Sequence, residues 1–253
     1  MPKFAANLSM LFTELPFLDR FQAARAAGFE GVEFLFPYDF DALEIRRALD
    51  DCGLPLVLFN TPAGDWQTGD RGFAAMPDGQ SRFLAGLTLS LEYAAILRPF
   101  HIHIMSGVSG GHEAESTLIY NLKDATKRNP NQSFLIEPLN PQDVPGYFLG
   151  DFAVAKRVIE TVNTPNLNLQ FDAYHSHLMR GDVLGDWAAY RDLVRHIQIA
   201  GVPGRNEPLP SEIDYLRFFE QLAKDGYQGF VSAEYHPKGR TDAGLNWTNA
   251  AIA

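Results

Sequence analysis

The sequence predicts an α/β protein built as a single (β/α)₈ barrel domain over residues 1–253. Three observations carry this prediction: eight short apolar runs of strand length, helical periodicity between them, and a chain close to the ~250 residues typical of such barrels. Alternating strands and helices imply parallel strands joined by right-handed crossovers. An open doubly wound sheet normally carries a glycine-rich turn after its first strand, and "NLSMLF" stands there instead.

The predicted strands are short and mostly rich in β-branched or aromatic residues. In chain order they are KFAAN (3–7), GVEFLF (31–36), PLVLFN (55–60), FHIHIM (100–105), SFLIE (133–137), LNLQFD (167–172), RHIQIA (195–200) and GFVSAE (229–234). A repeat of one helix-to-strand corner supports this reading, because "RAAGFEGVEFLF" (25–36) resembles "AKDGYQGFVSAEY" (223–235).

Helical periodicity occupies the stretches between the strands. It is clearest in LPFLDRFQAARAAG (15–28), DALEIRRALDDCG (41–53), RFLAGLTLSLEYAAIL (82–97) and YLRFFEQLAKDG (215–226). Three of these segments end in glycine, which favours a left-handed helix C-cap. The longest predicted loop, 61–79, has the length and aromatic content of a lid or an interface, and plain surface decoration is an equal alternative.

Composition restricts the classes of partner. The formal net charge of -10 gives an acidic surface that repels phosphate backbones, so we expect no nucleic-acid partner. Cys52 is the only cysteine, which excludes an intrachain disulfide. The first residues lack a signal-peptide pattern, and no run approaches the ~18 apolar residues of a membrane span. We therefore expect a cytoplasmic protein without a membrane partner, and a homo-oligomer stays open.

A polar residue stands at or near the end of every predicted strand, where such barrels place their active sites. These residues are Asn7, Glu33, Asn60, His103, Glu137, Asp172, Gln198 and Glu234. The last four come from consecutive strands, so their side chains should converge. Converging carboxylates repel one another, and one divalent cation, Mg²⁺ or Mn²⁺, would neutralise them through oxygen ligands.

Two alternatives accompany this metal site. A single carboxylate at a strand end usually caps a helix or pairs with an arginine, which is the structural explanation for any one of the four. His196 precedes Gln198 by two residues and faces the same side of the strand, so it is an alternative ligand to that amide.

Six motifs resemble the hydroxypyruvate isomerase family, which belongs to the wider group of xylose-isomerase-like barrels that also holds the ketose 3-epimerases. The motifs span nearly the whole chain, and related 2-oxotetronate isomerases carry much the same ones. They are FAANLSMLFTELPF (4–17), GFEGVEFLFPYD (28–39), IEPLNPQDVPGYF (136–148), FDAYH (171–175), HIQIAGVPGRNEP (196–208) and EYHPKGRTDAGLNW (234–247).

The resemblance implies a role for each of the four strand-end residues. The family's metal ligands fall on Glu137, Asp172, Gln198 and Glu234, which favours Gln198 over His196. The two glutamates fall on the family's acid/base pair. The histidine of "FDAYH", His175, is expected to face the substrate oxygens from the start of a loop after strand 6.

Arg205 is a candidate for recognising a substrate carboxylate. It lies in the loop "GVPGRNEP", whose glycines and proline suggest a shaped turn, and a guanidinium can bind a carboxylate bidentately. A surface ion pair is the alternative role.

The expected reaction interconverts hydroxypyruvate and tartronate semialdehyde through an enediolate, with proton transfer by the two glutamates. A hydride shift is the competing route. The alternatives for the whole protein are a 2-oxotetronate isomerase, a ketose 3-epimerase-like enzyme and, more remotely, an abasic-site metallonuclease, which would normally need more histidine ligands and a basic face. A binding protein on a decayed barrel is disfavoured because Glu137 and Glu234 are intact.

Overall fold

Eight parallel strands form a barrel in the computed structural model, which describes residues 2–252, so both ends of the domain predicted over 1–253 lie outside it. The strands are β1 (Lys3–Asn7), β2 (Gly31–Glu33), β3 (Leu58–Asn60), β4 (His101–His103), β5 (Ser133–Ile136), β6 (Leu167–Asp172), β7 (Val194–Ile199) and β8 (Phe230–Ala233). They are hydrogen-bonded in the order β2-β1-β8-β7-β6-β5-β4-β3. Between β2 and β3, the Val57 N–H donates to the Val32 carbonyl oxygen (2.8 Å) and continues the ring. The predicted (β/α)₈ barrel is confirmed.

Helices connect the strands and cover the outside of the barrel. They are α1 (Arg20–Ala26), α2 (Ala42–Cys52), α3 (Gln80–Leu97), α4 (Gly111–Arg128), α5 (Phe152–Val162), α6 (Ala173–Arg180), α7 (Val183–Tyr190), α8 (Tyr215–Lys224) and α9 (Asn246–Ile252). Local sequence sets the ends of α2: the Asp41 carboxylate accepts from the Leu43 N–H (2.7 Å), and Gly53 ends the helix with φ 67°.

Two separate apolar regions stabilise the fold. The larger one lies between strands and helices and includes the fully buried side chains of Phe21, Ile45 and Phe218. Each such side chain contributes roughly 1.5–3 kcal/mol by leaving water. A much smaller cluster contains Ala5, Val57, Leu58 and Leu135. The few apolar residues of this second cluster leave room for polar side chains in the barrel interior.

The strand register brings the polar strand ends to one level. Asn7 lies opposite Glu33 between β1 and β2, and Asp172 lies opposite Gln198 between β6 and β7. All eight of the predicted strand-end residues are buried. Because parallel strands present their C-terminal ends at the same rim, these side chains form one polar layer there.

The 61–79 segment is only partly an exposed loop. Its second half is packed onto the segment after β4, where the Ala75 N–H donates to the Ser106 carbonyl oxygen (2.7 Å). Asn121 of α4 donates to the Ala74 carbonyl oxygen (2.9 Å). Trp66 remains 49% exposed, with the guanidinium of Arg71 over its ring. Most of the exposed residues of the segment therefore lie around Trp66, in its first half.

Among the helices of residues 2–252, none combines the length and the apolar character that crossing a bilayer requires.

Candidate active site

Four buried carboxylates lie at the C-terminal ends of the described strands: Glu33 and the three that the sequence predicts to converge. Glu137 follows β5 directly, Asp172 is the last residue of β6, and Glu234 follows β8 directly. None of the three residues is more than 5% exposed. Asp172 also caps α6, because its Oδ1 accepts from the Tyr174 N–H (2.7 Å). Each carboxylate is therefore fixed by a strand end and is withdrawn from bulk water.

The arrangement fits a divalent cation. Ligand atoms of Glu137 and Asp172 lie within 4.8 Å of each other, and a ring nitrogen of His175 lies within the same distance of both. Oε1 of Glu137 is buried and has no hydrogen-bond partner among the described residues, which is costly for a carboxylate oxygen. The three carboxylates and the guanidinium of Arg205 would sum to a charge of -2 if all were ionised, and a divalent cation brings that sum to zero.

The pKa values of these carboxyl groups also reflect their burial and the negative charges close to them. Burial, followed by the charges of Glu234 and Asp172, raises the pKa of Glu137 well above its ordinary value. Burial raises the pKa of Glu234 to about 8, although Arg205 opposes the shift, and it also raises the pKa of Asp172. Without a cation, the folded protein therefore holds protons in this site near neutral pH.

Arg205 reaches into the carboxylate cluster from the loop after β7. Its Nη2 donates to Glu234 Oε2 (2.5 Å) and lies 3.3 Å from Asp172 Oδ2. The guanidinium also lies 5.0 Å from the ring centroid of Tyr174. Its backbone has a φ of 52°, uncommon for a residue other than glycine. Nε of Arg205 is buried without a partner among the described residues, so one donor of the fork is not used by the protein.

The imidazole of His175 is held as one neutral tautomer. The backbone N–H of Asn140 lies 3.2 Å from its Nδ1 and can only donate, so Nδ1 accepts and Nε2 carries the proton. Burial, followed by the charge of Arg205, lowers the pKa of His175 well below its ordinary value. An Nε2 that carries its proton cannot ligate a metal. His175 is thus a hydrogen-bond donor, 3.6 Å from Asp172 Oδ2.

The structure corrects the expected position of His175. It lies in the first turn of α6, not in a loop, and it is only 2% exposed, so it does not lie at the surface. The helix begins immediately because the strand-end residue Asp172 is also its N-cap. Its predicted contact with the substrate stays a prediction.

Gln198 and His196 occupy different positions relative to the cluster. His196 Nε2 lies 2.7 Å from Glu33 Oε2, so the alternative ligand is engaged elsewhere. Gln198 turns its Nε2 toward Glu33 Oε1 (2.8 Å), and its Oε1 accepts from Gln170 (2.6 Å). The role of Gln198 as fourth ligand stays a prediction.

Two residues of the site are absent from the sequence predictions. Gln170 donates through its Nε2 to Glu137 Oε2 (2.8 Å). It precedes Asp172 by two residues on β6, so strand alternation could have identified it. Asn140 fixes His175 from a loop 35 residues earlier in the chain, and no local pattern indicates that contact.

Comparisons with known proteins agree with the barrel fold. Residues 21–251 match the family model described as a xylose isomerase-like TIM barrel. A 2-oxo-tetronate isomerase from Cupriavidus necator is 43% identical over 255 residues, covering 98% of this chain and 97% of that protein. A hydroxypyruvate isomerase from Escherichia coli is 38% identical over 253 residues, covering 98% of each. The crystal structure of "AP endonuclease, family 2" from Brucella melitensis has a TM-score of 0.95 at 43% identity and covers 99% of both chains.

Proposed function

This chain belongs to the family of xylose isomerase-like TIM barrels and is an isomerase, and on that premise we propose that it interconverts hydroxypyruvate and tartronate semialdehyde with one divalent cation. The observation that carries the proposal is the convergence of three buried carboxylates, Glu137, Asp172 and Glu234, on one end of the barrel. We assign Mg²⁺ or Mn²⁺ to them because both are hard cations that prefer oxygen ligands.

A second substrate is favoured by one observation. Relatives 43% and 42% identical to this chain are named 2-oxo-tetronate isomerase, whereas the hydroxypyruvate isomerase from Escherichia coli is 38% identical. Both names describe a short 2-oxo acid, so the site chemistry required is shared. The four-carbon acid is therefore the second candidate, and the partner in either case is a small anionic molecule.

The reaction requires moving a proton between neighbouring carbons of the substrate. Glu137 and Glu234 follow β5 and β8, which are separated by two strands, so they approach the substrate from different directions. In our proposal one glutamate removes the proton from C3 of hydroxypyruvate, the hydroxyl proton passes from the oxygen on C3 to the oxygen on C2, and the other glutamate delivers a proton to C2 of the enediolate. A bound divalent cation would stabilise the negative charge that develops on the substrate oxygens.

A neutral imidazole and a guanidinium would donate hydrogen bonds that orient the substrate. The Nε2–H of His175 lies 3.6 Å from Asp172 Oδ2, which is too far for a hydrogen bond, and it would donate to a substrate oxygen. Arg205 has a buried Nε without a partner among the described residues, and it would bind the substrate carboxylate through its fork. Burial of the whole cluster excludes water from the intermediate.

The name of the Brucella melitensis structure favours the metallonuclease alternative. A net charge of -10 disfavours a phosphate backbone, and the cluster of described residues contains carboxylates with a histidine that cannot ligate. We therefore keep the isomerase as the proposal and expect no nucleic-acid partner.

Turnover measured by ¹³C NMR tests this proposal. Purified protein is stripped with EDTA, reloaded with Mn²⁺ or Mg²⁺, and given hydroxypyruvate or 2-oxo-tetronate in parallel, with DNA containing an abasic site as a third arm. We expect isomerisation of at least one acid by the reloaded protein and little by the stripped protein. Cleavage of the DNA without isomerisation of either acid would overturn the proposal.

A further inference from the structure

Glu33 is a fully buried carboxylate at the end of β2 to which the reaction assigns no role. Its Oε1 accepts from Gln198 Nε2 (2.8 Å) and from Asn7 Nδ2 (3.0 Å), and its Oε2 lies 2.7 Å from His196 Nε2. The two oxygens of Glu33 therefore face nitrogen atoms of three different side chains.

A carboxylate oxygen that accepts from an amide nitrogen determines which way that amide faces. Gln198 must turn its nitrogen toward Glu33, which leaves its oxygen on the other side. That oxygen accepts from Gln170 Nε2 (2.6 Å). The same nitrogen of Gln170 donates to Glu137 Oε2 (2.8 Å). One chain of amides thus runs from Glu33 to the first glutamate of the proposed acid/base pair.

A second, shorter chain runs from Glu33 to the other glutamate. Asn7 Nδ2 donates to Glu33 Oε1 and also lies 3.2 Å from Glu234 Oε1. Its Oδ1 accepts from the Ser9 N–H (3.0 Å), which fixes the amide from its opposite end. Both glutamates are therefore linked to Glu33 by hydrogen bonds, Glu234 through Asn7 and Glu137 through Gln198 and Gln170.

We propose that Glu33 is a positioning residue that sets the orientation of Gln198, holds the amide of Asn7 in place and, through these two residues, sets the placement of Glu137 and Glu234. This inference rests on the proposed function, since it concerns the same two glutamates. An amide at position 33 would both donate and accept, so Gln198 could adopt either orientation, while the Ser9 N–H keeps the orientation of Asn7. The oxygen and nitrogen of Gln198 would then exchange places beside the cluster.

The test compares Glu33→Gln with a matched control, Asp225→Asn. Asp225 also accepts three hydrogen bonds, from Trp187 (2.8 Å), Arg191 (2.7 Å) and Gln221 (3.0 Å), but it follows α8 at the N-terminal end of the barrel. Mn²⁺ affinity by calorimetry, kcat and KM, and the Tm of the metal-free protein are measured for both. Loss of an outer hydrogen-bond partner typically costs about 10–100-fold in metal affinity or activity.

We expect Glu33→Gln to lower kcat and weaken Mn²⁺ binding by about that factor, while Asp225→Asn changes only Tm. Equal behaviour of the two variants beside an active wild type would overturn the positioning role alone. A wild type that neither binds Mn²⁺ nor isomerises would overturn the proposed function and this inference with it. If Glu33→Gln does not fold, the same measurements are made on Gln170→Met. This variant removes the hydrogen bonds that join Gln198 to Glu137 and leaves Glu33 unchanged.

Discussion

Stability of the metal-free protein should fall as the pH rises from about 7 to about 9, above the ~6.5 at which histidines of the unfolded chain lose their protons. Burial raises the pKa of Glu234 to about 8 in the folded protein, with Arg205 opposing and Asp172 adding to the shift. In the unfolded chain a glutamate has a pKa of about 4.3. Between these two pKa values the folded state holds a proton that the unfolded chain has released. Each unit of pH in that range therefore favours unfolding, and the loss ends above the folded pKa.

The size of the effect follows from the pKa of Glu234 alone. About one pH unit separates pH 7 from that folded value, so at ~1.4 kcal/mol per unit Glu234 accounts for a loss of about 1.4 kcal/mol. For a chain of this length about 1 kcal/mol changes Tm by ~2–4 °C, so we expect a fall of roughly 3–6 °C. The pKa of Glu137 is also raised, by burial and by the charges of Glu234 and Asp172, so this residue adds to the fall.

Differential scanning calorimetry of EDTA-treated protein measures this fall. Saturation with Mn²⁺ should remove most of it, because a cation binds the carboxylates in their ionised form. Glu234→Gln supplies the control, since an amide of the same size does not titrate and the Tm of the metal-free variant should change less. A metal-free Tm that is constant or rises over this range, or a Glu234→Gln variant with the wild-type slope, would refute the reasoning.

Three substitutions make further predictions. Asp172→Ala should lose Mn²⁺ binding and activity together. The control Asp151→Ala removes the N-cap of α5, which lies outside the site, and should keep both. Calorimetric Mn²⁺ binding at wild-type strength in Asp172→Ala would contradict this prediction. Arg205→Lys keeps the charge but loses the planar guanidinium, so KM should rise by about 10–100-fold. The control Arg157→Lys alters an exposed ion pair with Glu115 and should leave KM unchanged. An unchanged KM in Arg205→Lys would show that Arg205 does not bind the substrate. Glu137→Gln and Glu234→Gln should each lower kcat by about 10²–10⁴-fold with part of the metal affinity retained, and near-normal kcat in steady-state assays would exclude them as the acid/base pair.

The fold and the carboxylates were accessible from sequence because each leaves a local pattern. Glu137 follows the apolar run Phe134–Ile136, and Glu234 ends a similar run, so both are recognisable as polar strand ends without knowledge of the neighbours. Once the strands are parallel and in register, their C-terminal ends meet by geometry. The convergence of these side chains therefore follows from the strand predictions alone.

The contacts that refine the site could not be predicted in the same way. Asn140 reaches His175 across 35 residues, and Arg205 reaches Asp172 across 33. Such contacts depend on the path of a loop, which has no periodicity to read. Gln170 differs, because the alternation that places His196 and Gln198 on one face also places Gln170 beside Asp172. The start of α6 was likewise marked by Asp172, a favoured N-cap residue.

Proton transfer by Glu137 and Glu234 is tested most directly by running the reaction in D₂O. Metal-loaded protein converts hydroxypyruvate or 2-oxo-tetronate, and ¹H and ²H NMR report whether hydrogen on carbon in the product came from solvent. An enediolate with two glutamates as base and acid lets the abstracted proton exchange, so we expect deuterium on carbon in the product or in recovered substrate. Turnover with complete retention of the substrate hydrogen would contradict the account, because that result is expected of a hydride shift and would leave the two glutamates as metal ligands only.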